Sequence, residues 1–164
     1  MNKNIINDNE LRALLKKINS IVMIGVSASP LRASFFVARY FVLRGISIIP
    51  INPNYEGKYL WGEKVLGKLS DIDPSKKVDL IDIFRPSEEV PNIVEDTIKY
   101  LKPLGCKTIW MQIGIKNKKA ALIARNNGMN VIMDKCPKIE NQRLFGELRV
   151  AGFNTSIISS KIDL

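Results

Sequence analysis

The sequence predicts an α/β domain: a three-layer, doubly wound parallel sheet of about five strands, preceded by a leading N-terminal helix. Three observations predict it. Five short apolar runs rich in β-branched residues recur along the chain, and such runs read as buried strands. Most are followed by a stretch of helical periodicity, and strands alternating with helices imply βαβ units and parallel pairing. The third is length: 164 residues suit one domain of about 100–200 residues.

The stretch from Asn9 to Ile18 carries Leu11, Leu14, Leu15 and Ile18 at the i, i+3, i+4, i+7 spacing of an amphipathic helix. Ile21 to Val26 is the first strand, interrupted by Gly25. Ser34 to Leu43 is a helix that Arg44-Gly45 ends, glycine being the residue that tolerates a left-handed cap. Ile46 to Ile51 is the second strand, broken by Asn52-Pro53-Asn54. A loop with Gly57, Gly62 and Gly67 and an exposed-looking Tyr59-Leu60-Trp61 leads to the third strand, Val78 to Ile83. Ser87, with Glu88 and Glu89 behind it, reads as the N-cap of a helix reaching Leu101. Thr108 to Gln112 is strand four, Asn117 caps a helix to Asn126, and Met129 to Met133 is strand five. One domain over 1–164 is expected, with its core at about 10–148 and a polar tail at 149–164.

Composition excludes more than it assigns. Hydrophobic residues make up 46% and charged residues 25%, ordinary values for a globular chain. No apolar run reaches the ~20 residues a membrane span needs, and the first residues lack the apolar segment of a signal peptide, so a cytoplasmic protein without a membrane partner is expected. There is no histidine, which removes every histidine-ligated zinc site and every Ser-His or Cys-His pair. The net charge of +9 suits an anionic partner. Yet the lysines are spread out, with Lys116, Lys118 and Lys119 as the densest group. They form either a solvated face or a surface for an acidic partner. Nucleic acid is an unlikely partner, because no base-stacking motif accompanies the charge.

In doubly wound sheets ligands bind at the carboxyl ends of the strands, near the switch in strand order. The first such end is Gly25-Val26-Ser27-Ala28-Ser29-Pro30-Leu31-Arg32-Ala33-Ser34. A glycine lets backbone approach a phosphate, and the next helix offers unpaired N–H groups and a positive dipole end. Ser27, Ser29 and Ser34 add hydroxyls, and Arg32 adds a phosphate-matched fork. An ordinary serine-capped turn is the alternative. The nicotinamide fingerprint is incomplete: serine and proline stand at 27 and 30, and Asn52 occupies the place of the ribose-binding acid.

These segments resemble a known family, the small stand-alone CoA-binding domain proteins. Their Rossmann-like fold is that of the nucleotide-binding domain of the succinyl-CoA synthetase alpha subunit. The matching pieces are GVSASPLRAS at 25–34, GISIIPINP at 45–53, LGKLSDI at 66–72, VDLIDIFRPSEEV at 78–90, IWMQIG at 109–114 and MDKCPKIE at 133–140. The resemblance implies coenzyme A or an acyl-CoA as ligand. Its diphosphate would lie on Gly25, Val26, Ser27 and Ser34, with Ser29, Pro30 and Arg32 in the same turn. Asn52, Pro53, Phe84, Arg85 and Pro86 would border the nucleotide and pantetheine, and Gln112 and Gly114 the pantetheine arm. The loop at 58–68 departs from the family pattern, and Trp61 either stacks on adenine or covers the sheet edge. Arg85 reads equally as a phosphate contact or a structural ion pair.

Asp79 and Asp82, at i and i+3 in one strand, face opposite sides and form no acid–base pair. Cys136, flanked by Lys135 and Lys138, is the weak catalytic candidate, since neighbouring cations lower a thiol pKa. A buried turn cysteine is the alternative. A CoA-binding module without chemistry of its own is the first reading, with a homo-oligomer possible. The alternative is an enzyme: a nicotinamide-dependent oxidoreductase, or an acyl-CoA-processing enzyme using Cys136.

Overall fold

The computed structural model describes residues 7–147; the tail read at 149–164 lies outside them. Five parallel strands form the sheet: β1 (Ser20–Ile24), β2 (Ser47–Ile51), β5 (Leu80–Ile83), β6 (Thr108–Met111) and β7 (Asn130–Ile132). Their spatial order is β2-β1-β5-β6-β7. The chain therefore builds outward on one side of β1, crosses back, and continues on the other side. The predicted α/β class and all five strands are present.

Parallel strands covered on both faces are apolar throughout, and β5 and β6 are buried along their whole length. Helices α1 (Asp8–Lys17), α2 (Ala33–Val42) and α5 (Pro137–Leu144) cover one face; α3 (Val90–Asp96) and α4 (Lys118–Asn126) cover the other. On the first face Phe41 and Trp110 are fully buried with Ile21, Met23 and Leu80. On the second, Val22, Ile81, Ile83, Ile109 and Met111 meet Val90, Val94, Ala120 and Ala124.

Local chemistry sets the element ends. Asn7 and Glu10 form a capping box on α1, and Asn117 caps α4 as expected. Helix α2 ends at Gly45 with φ +76°. There Ile46 N–H reaches Phe41 O and Gly45 N–H reaches Val42 O, the paired bonds of a Schellman ending. Pro50, which has no N–H to donate, is tolerated because β2 is an edge strand.

Two expectations need correction. Ser87 does not cap α3: its hydroxyl accepts from Lys116 N–H, and the N-cap position falls to Glu89, whose carboxylate is held by Arg85. The loop after β2 also contains a small hairpin, β3 (Tyr59–Leu60) and β4 (Glu63–Lys64). Trp61 and Gly62 form its two-residue turn with φ of +51° and +81°, the primed geometry that hairpins favour. The Trp61 ring lies 5.1 Å from that of Phe35 and packs on the α2 face of the core. Asp79 precedes β5 and accepts the N–H groups of Asn19 and Ser20.

Phe41 anchors α2 on the sheet. Phe41→Ala is predicted to lower unfolding free energy by about 3–5 kcal/mol, measured by denaturant titration against the parent chain.

Candidate functional site

Strand β1 is bonded on both sides until its last residue. Phe84 N–H donates to Ile24 O, and Gly25 N–H donates to Ile51 O, at 2.9 and 2.8 Å. Beyond this point the neighbouring connections diverge, because β2 and β5 lie on opposite sides of β1. A cleft of about 430 Å³ opens there, lined by Gly25, Ser27, Arg32, Ala33, Ser34, Asn52, Asn54, Tyr55, Phe84 and Arg85. That volume is within the usual range for small-molecule sites.

Gly25 has φ +85°, and a Cβ placed on it would come within 2.9 Å of both Arg85 Cδ and the Phe84 carbonyl oxygen. No other residue type fits there without displacing the end of β5. The turn that follows is braced internally. Ser34 Oγ accepts from Ser27 N–H at 2.9 Å, Ser27 Oγ accepts from Ser29 N–H at 3.0 Å, and Ser29 O accepts from Arg32 N–H at 3.1 Å. Ser34, in the first turn of α2, thus turns its hydroxyl back onto the loop. The N-cap position of α2 is Arg32, with no side-chain cap and no acidic residue in the first turn. Its first amides and positive dipole end are left toward the cleft, with the exposed Arg32 beside them.

Asn52 is buried and works inside the protein. Its Nδ2 donates to Val26 O at 2.8 Å, and its Oδ1 accepts from Asn54 N–H at 3.0 Å. The amide ties the β1 turn to the end of β2, a bridge that a carboxylate could not make for want of a donor. Arg85 lays its stem over Gly25 and donates from Nε and Nη2 to the two carboxylate oxygens of Glu89, each at 2.8 Å. This pairing raises the Arg85 pKa and lowers that of Glu89.

Of the residues singled out from the sequence, Gly25, Ser27, Arg32, Ser34, Asn52, Phe84 and Arg85 line this cleft. Val26 is buried and contributes its carbonyl; Ser29 shapes the turn; Pro30 and Pro86 are exposed in the connections and Pro53 opens an exposed 3-10 turn, all three outside the lining. Gln112 and Gly114 also lie outside it. Gln112 Nε2 donates to Asp82 Oδ2 at 3.0 Å, and Gly114 N–H donates to Asp134 Oδ1 at 2.8 Å. Asn54, Tyr55 and Glu89 were missed. The first two directly follow Asn52-Pro53 and were legible from the strand-end rule; Glu89 was assigned to a helix dipole.

Cys136 corrects a third expectation. It is 7% exposed, and burial pushes its thiol pKa up, with the Asp82 carboxyl acting in the same direction. The flanking lysines do not oppose this, because Lys135 Nζ turns to Glu140 and Lys138 Nζ to Gln142. Lys116 pairs with Asp134 at 2.7 Å, which leaves Lys118 and Lys119 as exposed charge on α4. A second depression, of about 410 Å³, lies at the amino ends of the strands around Lys17, Asp79, Lys107 and Asn130. Its one glycine, Gly105, ends a helical turn rather than opening one, and no helix N-terminus lines it.

A doubly wound parallel sheet with a glycine turn and an open helix N-terminus at its switch point defines a Rossmann-like α/β domain of flavodoxin-like strand order. The chain belongs to the CoA binding domain family, whose model matches residues 19–142. It is 31% identical over 130 residues to the uncharacterized protein YneT of Bacillus subtilis, covering 79% of this chain and 90% of that one. The solved structure of cell-free ID.343 from Thermus thermophilus superposes with a TM-score of 0.78 at 31% identity, over 85% of this chain and 99% of that one. A hypothetical protein from Pyrococcus horikoshii OT3 gives a TM-score of 0.75 at 28% identity, over 84% and 92%. Among the described residues no helix is long and apolar enough to cross a membrane.

Two predictions follow from this geometry. Gly25→Ala combines a left-handed φ with contacts to backbone, and should destabilise the chain by about 2 kcal/mol or more, read by thermal unfolding. Asp82 is fully buried, and burial raises its carboxyl pKa from 3.8 to about 8. The folded chain then holds a proton there that the unfolded chain releases, so stability falls as pH rises between those values and levels off above them. Asp82→Asn should flatten that fall when unfolding is compared at about pH 5 and about pH 9.

Proposed function

We propose that this protein binds coenzyme A or an acyl-CoA, with the diphosphate seated on the β1–α2 turn, and acts as a binding module without a reaction of its own. The observation that carries this reading is the uncapped start of α2, facing a glycine that a Cβ would obstruct. Such a site satisfies free amides with phosphate oxygens and sets negative charge at the dipole's positive end. Arg32 and Arg85 supply cationic forks at the same cleft, while Ser27 and Ser34 shape its floor. Membership of the CoA binding domain family selects CoA among phosphate-bearing nucleotides. The engaged amide of Asn52 argues in the same direction, since a nicotinamide site expects a free acid there to hold the ribose.

The residues fit the group at its phosphates. When bound, CoA would supply a thiol or thioester; the chain's own contribution is to hold and orient the nucleotide end. Cys136 is not given a part, because a buried thiol with a raised pKa carries little thiolate.

Calorimetric titration with CoA, acetyl-CoA, NAD and ATP tests the reading. CoA is expected to bind in the micromolar range with NAD silent. Ser27→Glu, which sets a carboxylate against the phosphates and removes the hydroxyl that braces Ser29, is expected to abolish the heat. NAD binding without CoA would sink the assignment.

A further inference from the structure

Arg85 sits where β1 and β5 part, and two contacts orient its side chain there. Its stem crosses the bare Cα of Gly25. Its Nε and Nη2 are taken by both oxygens of Glu89 in a two-bond fork spanning the turn from Pro86 to Glu89, which Glu89 N–H closes onto Pro86 O. Arg85 lines the cleft and Glu89 does not. The carboxylate therefore grips the guanidinium by one edge, and Nη1 makes no hydrogen bond among the described residues. Glu89 sits at the N-cap of α3 without capping it, so its side chain is committed to the arginine rather than to the helix.

We propose that Glu89 is a positioning residue for ligand recognition: it orients the Arg85 guanidinium so that the free Nη1 edge is a fixed donor to a phosphate of the bound nucleotide. The proposal rests on the reading that the cleft takes the phosphates of CoA, and it gives Arg85 both parts, ion pair and phosphate contact. A guanidinium already paired along one edge with Glu89 has fewer orientations to lose when the ligand arrives, which lowers an ordering cost of binding. A long ligand anchored at several points needs the donor in one place. A free diphosphate ion can shift to follow a loosened arginine, so orientation matters for CoA and much less for the ion. The ratio of the two affinities isolates that effect, because the charge of Glu89 acts on both anions.

The test is titration of the full chain with CoA and with inorganic diphosphate, in wild type, Glu89→Gln, Glu89→Asp, Arg85→Gln and the Arg85→Gln/Glu89→Gln double variant. The CoA-to-diphosphate affinity ratio is expected to fall about tenfold in Glu89→Gln. It should fall similarly in Glu89→Asp, which keeps the charge but is one methylene short of the two-bond fork. In the Arg85→Gln background, Glu89→Gln should have no further effect on the ratio, since it acts through the arginine. An unchanged ratio in Glu89→Gln, a wild-type ratio in Glu89→Asp, or a fall that persists without Arg85 would each overturn the proposal. If the wild type binds CoA and Arg85→Gln binds it equally well, the CoA reading survives and the role of Glu89 does not. If the wild type fails to bind CoA, the reading of the cleft itself falls, and this proposal with it.

Discussion

At the end of β1 the chain must turn toward α2 in the narrow space between the ends of β2 and β5. The Phe84 carbonyl and the Arg85 stem stand so close that a methyl group on residue 25 would collide with both. Much of the site depends on this approach. The bare Cα lets β1 stay bonded to both neighbours up to its last residue, and the switch in strand order then leaves the crevice open directly above it. The same contact brings Arg85 to the edge of the turn from which α2 departs. A left-handed φ of +85°, tolerable for glycine and strained for other residues, aims the following serines back across the opening.

Around this point the polar groups divide into those used internally and those left to a ligand. Ser27, Ser29, Ser34 and Asn52 stitch the turn to itself and to β2, because buried polar atoms without partners are costly. The first amides of α2 have no side-chain cap, because Arg32 at its N-cap position carries no acceptor. The contrast with α1 and α4, both capped by asparagine, lies in the N-cap residue: asparagine offers an acceptor oxygen and Arg32 does not.

The carboxyl end of the sheet also carries a buried polar row that composition does not explain. Asp82 stands in register between Met23 of β1 and Trp110 of β6, fully enclosed, with Oδ2 bonded to Gln112 and Oδ1 without a partner among the described residues. Desolvation keeps its proton on, so the row is neutral rather than charged at moderate pH. Cys136 faces the same group and is kept a thiol by the same burial. Read from sequence, Lys135-Cys136 suggested the opposite, since adjacency along the chain was taken for adjacency of charge. The lysines lean away to Glu140 and Gln142.

The α/β class, the five strands and the leading helix were legible in the sequence because buried parallel strands and amphipathic helices differ in hydrophobic period, a property of neighbouring residues alone. The Gly25–Ser34 turn was legible too, since glycine and proline punctuate the chain locally and strand ends locate sites. The sheet order, with β1 between β2 and β5, depends on how the crossovers pack and has no local signature. The pairing of Arg85 with Glu89, the inward turn of Gln112 and the suppressed acidity of Cys136 are also tertiary outcomes. Each depends on which groups distant in sequence, or across a turn, share a low-dielectric space, and hydrogen-bond and charge energies follow separation in space. The sequence by itself determined which residues could bind an anion; the tertiary structure decided which of them are free to do so.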